Sequence, residues 1–258
     1  MTGDWLRPAE VDPAARLRLF LLPYSGAGAS AYHGWAALFP ADVPVQAVQL
    51  PGRQDRLAEA PYTDLAALVE ALCEVLDAEC DGRPYGLFGH SMGGLLAYRV
   101  AVALERDGGP APALVAPSGW APEGFRTVAD LVDAPDAVLV NRLAELGMGV
   151  DGSPDPRPDV GYHDPAVLAV ALPTIRADLA VCAGYRDDRA RLRGPLVTYS
   201  GAGDPLLAPG AVASWPARSA AYLGDRRFPG GHFFLHEHAL PIATDLAYLL
   251  DQQAAAVS

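Results

Sequence analysis

An α/β fold, with a mostly parallel central sheet flanked by helices, is predicted for this 258-residue chain by three observations. Short apolar runs recur at Arg18–Leu22, Val43–Leu50, Tyr85–Phe88, Ala113–Val115 and Leu196–Ser200, each followed by glycine or proline. Segments with helical periodicity alternate with them, which is the rhythm of strand–helix–strand units. Hydrophobic residues make up 51% of the chain and charged ones 19%, enough apolar surface for one sizeable domain over residues 1–258.

The elements follow in order. After a polar, proline-containing leader, Arg18–Leu22 reads as a strand entering the core, ending in the small-residue loop Pro23-Tyr24-Ser25-Gly26-Ala27-Gly28. Val43–Leu50 gives a second strand, closed by Pro51-Gly52-Arg53. Thr63–Glu79 carries Leu65, Leu68, Val69, Leu72 and Leu76 on one helical face, with Thr63 or Asp64 as its cap. Tyr85–Phe88 is a short buried strand, Leu95–Leu104 an amphipathic helix, and Ala113–Val115 another strand. From Pro122 to Arg193 the strand rhythm stops. Two helical stretches, Val128–Met148 and Pro165–Tyr185, flank a loop at Asp151–Asp159, and the second is expected to bend near Pro173. An insertion over residues 122–193, late in such a sheet, predicts a helical lid; two ordinary core helices are the alternative. The sheet returns at Leu196–Ser200, followed by Gly201–Pro205, a short strand near Arg227-Phe228, a Gly230-Gly231-His232 loop and a closing helix over Pro241–Gln253.

Composition excludes several chemistries. The net charge of −12 argues against nucleic acid or an anionic membrane surface as a partner. All 19 basic residues are arginine, so Schiff-base chemistry, pyridoxal-phosphate anchoring and a P-loop are ruled out. Cys73, Cys80 and Cys182 form no C-x-x-C pair; neither a zinc site nor a disulfide framework is supported, and they read as small apolar filler. Met1–Arg18 lacks the apolar core of a signal peptide, and no run approaches the roughly 18 apolar residues of a membrane span. A soluble, cytoplasmic monomer without cofactor or metal is expected.

Between the strand at Tyr85 and the helix at Leu95 lies Gly89-His90-Ser91-Met92-Gly93, which reads as a nucleophile elbow. The sharp turn strains the serine backbone and presents its hydroxyl above the sheet, while the flanking glycines avoid collisions that a Cβ would make. The Met92 amide opens the following helix, where unpaired N–H groups and the helix dipole favour an oxyanion. In an α/β-hydrolase fold the acid and then the histidine follow the serine in the chain. Of six histidines, His90 adjoins the serine and points away, His33 and His163 break the order, and His236 and His238 read as solvated; His232 remains as base. Asp204, on a glycine-flanked turn after the strand at Leu196, is the candidate acid, with Asp225 as runner-up. The second oxyanion donor should be the amide of Ser25 or Gly26.

With these pieces in place the chain resembles the type II thioesterases of polyketide synthase and nonribosomal peptide synthetase systems. The resemblance runs from Leu19 to about Leu250. It rests on Pro23-Tyr24-Ser25-Gly26, Pro51-Gly52-Arg53, Gly89–Gly93, Leu172–Asp178, Ser200–Asp204 and Gly231-His232-Phe233-Phe234-Leu235. It implies hydrolysis of acyl groups from the phosphopantetheine arm of acyl or peptidyl carrier proteins, the editing of stalled or misprimed synthases, through an acyl-serine. It also implies Ser91 as nucleophile, His232 as base, Asp204 as orienter, and Met92 and Ser25 amides as oxyanion donors. Leu143, Leu146 and Leu179 are possible lining of an acyl chamber. Three departures stand out: Ser25 and Gly94 where alanine is common, and a shortened Ser118–Pro122 whose Trp120 is expected to reshape the acyl pocket. Release of a finished chain, by hydrolysis or cyclisation, and a carboxylester or lipid hydrolase activity are the alternatives.

Overall fold

The computed structural model describes residues 4–126, 129–147 and 164–257. Its strands are β1 (Leu6–Arg7), β2 (Arg18–Leu22), β3 (Val45–Val48), β4 (Tyr85–His90), β5 (Leu114–Ser118), β6 (Leu192–Gly201) and β7 (Ser219–Phe228). They form one sheet in the order β1-β3-β2-β4-β5-β6-β7, in which only the β1–β3 pair is antiparallel. This is the architecture of an α/β hydrolase. The central strands β2, β4 and β5 are buried at every position, which is why they read as unbroken apolar runs rather than as alternation.

Helices α1 (Leu65–Glu79), α2 (Met92–Asp107), α3 (Asp136–Glu145), α4 (Pro165–Ala183), α5 (Phe234–Glu237) and α6 (Ala239–Val257) complete the chain. Asp64, one of the two expected caps, accepts the Ala67 N–H at 2.8 Å at the start of α1. Alternate residues of β2 face opposite sides of the sheet. Phe20 and Leu22 join Leu68 and Leu72 of α1 and Leu96 and Val100 of α2 in one core, while Leu19 and Leu21 join Ile242, Leu246 and Leu250 of α6 in the other. A third, smaller cluster sits apart from both. It packs Leu139 and Leu143 of α3 and Leu172, Ile175 and Leu179 of α4 against Tyr24 and Ala27 in the loop after β2.

Several expectations need correction. The leader contributes the two-residue strand β1, too short to carry a periodic signal. β7 begins at Ser219, eight residues before the predicted Arg227, because this edge strand is only half-buried and its Gly224-Asp225-Arg226 stretch hides the pattern. α3 starts at Asp136, with Pro135 at its N-cap in extended backbone, and a separate 3-10 turn occupies Ala129–Leu131 within the stretch predicted as one helix. As predicted, Pro173 falls within the second helical stretch, α4, which runs Pro165–Ala183. The Asp151–Asp159 loop and His163 lie outside the described residues.

α4 is also long and apolar enough, at a mean hydropathy of 1.8, to cross a membrane by length and composition, contrary to the sequence expectation. Leu172, Ile175 and Leu179 of α4 join the third cluster and Val181 the first, and its two charged residues are held by protein. Arg176 donates to the carbonyl of Ala134 at 2.6 Å and pairs with Asp136, and Asp178 pairs with Arg53.

Candidate active site

β4 leads directly into Ser91, whose φ of +54° and ψ of −117° lie outside the regions that non-glycine residues prefer. The turn is held by the Ser91 N–H, which donates to the Ser118 carbonyl at the end of β5 at 2.7 Å. Both flanking glycines are required by close approach. A Cβ on Gly89 would stand 2.0 Å from the Gly93 carbonyl oxygen, and one on Gly93 would stand 2.1 Å from that of Leu22.

His232 Nε2 lies 2.9 Å from Ser91 Oγ, and its Nδ1 lies 2.8 Å from Asp204 Oδ2. The second Asp204 oxygen accepts the Leu206 N–H at 2.8 Å. A buried carboxylate only accepts, so His232 donates through Nδ1 and its Nε2 lone pair is free to take the serine proton. The loops bearing Asp204 and His232 are laced together: Ala202 N–H donates to Phe228 O and Gly203 N–H to Gly230 O, both at 2.8 Å. At Gly201 a Cβ would meet the Gly231 carbonyl oxygen at 2.3 Å, so this approach too depends on glycine. Asp225, the runner-up acid, is engaged elsewhere, accepting from Thr198 and Ser200 within the sheet at 2.8 and 2.6 Å.

The remaining described histidines divide by environment. His33 is exposed. His90 is fully buried beneath the site, with Nδ1 2.9 Å from Ser118 Oγ and its ring 4.9 Å from that of His232. Burial holds its pKa well below the usual imidazole value, and the neighbouring His232 disfavours a second positive charge. His236 is not solvated as expected. Its ring stacks on Phe233 and meets Tyr24 edge-on, and burial lowers its pKa to about 4. The sequence has no signal for this, because the aromatic partner Tyr24 is 212 positions earlier in the chain.

Met92 is the first residue of α2, so its N–H has no acceptor within the helix. Across from it, the loop after β2 brings Ser25 into the same cavity as Ser91. Gly26, the other candidate donor, gives its N–H to Asp178 at 2.7 Å. The cavity is about 40 Å³ and narrow, and Leu143, Leu146 and Leu179 all line it, together with Phe125 and Leu206. Trp120 packs against Tyr98, Tyr185 and Trp215 and does not line the cavity, contrary to expectation, whereas its ring neighbour Phe125 does. Sequence reasoning singled out the stretches holding Arg53 and Asp178 but gave neither residue a role. The one available signal was a pair of charged residues, Arg176 and Asp178, inside a largely apolar helix.

A family model of the thioesterase domain matches residues 17–249. The gramicidin S biosynthesis protein GrsT of Aneurinibacillus migulanus is 31% identical over 91% of this chain and 89% of its own. Among solved structures, the type II thioesterase BorB from the borrelidin biosynthetic cluster superimposes with a TM-score of 0.82 at 34% identity, covering 95% of this chain and 97% of BorB. The RedJ thioesterase from the prodiginine pathway of Streptomyces coelicolor gives 0.82 at 36% identity, covering 92% of each chain.

Proposed function

The chain belongs to the thioesterase domain family, and on that premise we propose that it hydrolyses acyl groups held as thioesters on the phosphopantetheine arm of acyl or peptidyl carrier proteins. Its role in this reading is editing, the freeing of carriers blocked by short or stalled acyl groups. The observation that carries the proposal is the hydrogen-bonded chain Ser91–His232–Asp204, at 2.9 and 2.8 Å, opening on a narrow apolar cavity. The relatives in gramicidin S, borrelidin and prodiginine biosynthesis support the carrier-bound substrate.

In the proposed reaction Ser91 Oγ attacks the thioester carbonyl as His232 Nε2 takes its proton. Asp204 holds the Nδ1–H and stabilises the imidazolium that results. The tetrahedral oxyanion accepts from the Met92 and Ser25 amides, each worth about 10²–10³ in rate if such donors behave as in other acyl-transfer sites. Collapse breaks the carbon–sulfur bond, and His232 returns the proton to the departing carrier thiol. Water, deprotonated by the same nitrogen, then attacks the acyl-serine and releases the carboxylic acid and Ser91. The cavity beside Ser91 is lined mainly by apolar side chains, which suits an acyl chain rather than a charged group. α3 and α4, inserted between β5 and β6, supply Leu143 and Leu179 of that cavity, Leu146 just past α3 adds a third leucine, and together they act as its lid.

The test is to load a carrier protein with acetyl, butyryl and longer acyl groups and follow its intact mass with the wild type and with Ser91→Ala. Loss of short acyl groups with the wild type alone is expected. Cleavage of simple esters with no cleavage of any acyl-carrier would refute the carrier reading.

A further inference from the structure

The two sequence stretches that the triad leaves without a task, Pro51-Gly52-Arg53 and Leu172–Asp178, meet directly behind the loop that follows β2. Asp178 Oδ1 accepts from Arg53 Nη2 at 2.8 Å, and Oδ2 accepts from Arg53 Nη1 and from the Gly26 N–H, both at 2.7 Å. Arg53 Nη1 also donates to the Ala27 carbonyl at 3.0 Å. The aspartate is 1% exposed and the arginine 5%. One turn earlier on α4, Thr174 Oγ1 donates to the Gly52 carbonyl at 2.7 Å. A charged pair from the lid helix and the loop after β3 therefore grips the β2 loop at an amide and a carbonyl, beginning one residue beyond Ser25.

Buried ion pairs are weak evidence for stability, because desolvating both charges offsets their attraction; an apolar pair of similar size often serves as well. What such a pair supplies is one geometry. Gly26 sits at φ +79°, a conformation glycine reaches freely and leaves as freely, so the direction of its N–H is not set by its own backbone. A bond to a carboxylate fixes that direction, is stronger than one to a neutral acceptor, and occupies the amide that would compete with Ser25 for the oxyanion.

We infer that Asp178 is a positioning residue of the thioesterase reaction: paired with Arg53, it orients the Ser25–Gly26 loop so that the Ser25 amide faces the Ser91 carbonyl-binding position. The oxyanion hole is then complete only when α4 is seated, which couples the lid to the chemistry. The inference rests on the proposed function, in which the Ser25 amide is an oxyanion donor.

Three variants test it. Asp178→Asn keeps the shape but leaves Arg53 half-paired. Arg53→Met/Asp178→Leu removes both charges together, which buried pairs commonly tolerate, and deletes the acceptor for Gly26. Thr174→Val breaks the neighbouring contact from α4 without touching Gly26. Each is followed by melting temperature, by kcat and KM on an acetyl-carrier, and by binding of two pantetheine analogues. One is a trifluoromethyl ketone that becomes tetrahedral on Ser91; the other is a non-cleavable amide.

The double variant stays folded, and it and Asp178→Asn lose about 10²-fold in kcat with KM changed by less than about threefold. Affinity for the trifluoromethyl ketone falls with kcat, amide binding does not, and Thr174→Val stays within about threefold of the wild type in kcat. The inference is overturned if the folded double variant keeps kcat within about threefold, or if Thr174→Val loses as much as Asp178→Asn. Ser91→Ala run in the same assay separates the two readings. Turnover by Ser91→Ala sinks the proposed function itself, whereas its inactivity beside fully active Asp178 variants overturns only the positioning role.

Discussion

Leu143→Ala should move the acyl preference of this enzyme towards longer chains. Leu143 is buried on α3 and lines the cavity that holds Ser91 and His232. The substitution removes three carbon atoms, roughly 2.4 kcal/mol at about 0.8 kcal/mol per buried methylene, and the unfilled space brings the stability cost to about 2–5 kcal/mol. In an apolar pocket one methylene of substrate is worth about 1–3 kcal/mol, so butyryl turnover relative to acetyl should rise at least about tenfold. Competition between acetyl- and butyryl-carrier, read by intact mass, measures that ratio directly. Leu139→Ala is the control, because Leu139 lies one turn earlier in the same cluster, is fully buried, and is not among the cavity-lining residues. It should lower the melting temperature by a similar amount and leave the ratio unchanged. An unchanged ratio in Leu143→Ala, with equal destabilisation in both variants, would show that acyl chains do not occupy this cavity.

Other expectations follow from the same geometry. Asp204→Asn leaves the His232 ring without its charged partner and favours the wrong tautomer, so kcat should fall by about 10⁴ with KM little changed. Gly201→Ala places a Cβ 2.3 Å from the Gly231 carbonyl oxygen, forcing the acid and base loops apart; steady-state kinetics should show about a 10²-fold loss in kcat in a protein with wild-type circular dichroism. His236 has a folded pKa of about 4 against an ordinary value of about 6.5, so below that value the unfolded chain binds a proton the folded one refuses. Its stabilising contribution is therefore complete above about pH 6.5 and is lost as pH falls towards 4. Denaturant titrations of His236→Phe should show a flatter decline over that window; an identical decline would refute the assignment.

The sheet was legible because parallel strands buried on both faces write themselves as apolar runs, as at Leu19–Leu22 and Tyr85–Phe88. Where burial is one-sided or brief, as in β7 and β1, the pattern weakens and the sequence reading lost the strand or its start. Ser91, Asp204 and His232 were singled out by local requirements: glycines that only a tight turn needs, and loops placed after strands in a set order.

Sequence alone thus determined the fold class, the glycine-flanked turn at Ser91 and the chain order of the candidate acid and base, since each depends on residues adjacent in the chain or on strand rhythm. Tertiary structure alone decided that Gly26 gives its amide to Asp178, that Arg53 and Asp178 lie in contact 125 positions apart, that His236 is half-buried against Tyr24, and that Leu143, Leu146 and Leu179 line one cavity with Ser91. Those are pairings between distant segments, and their energies come from burial and charge neutralisation that exist only once the sheet has brought the segments together.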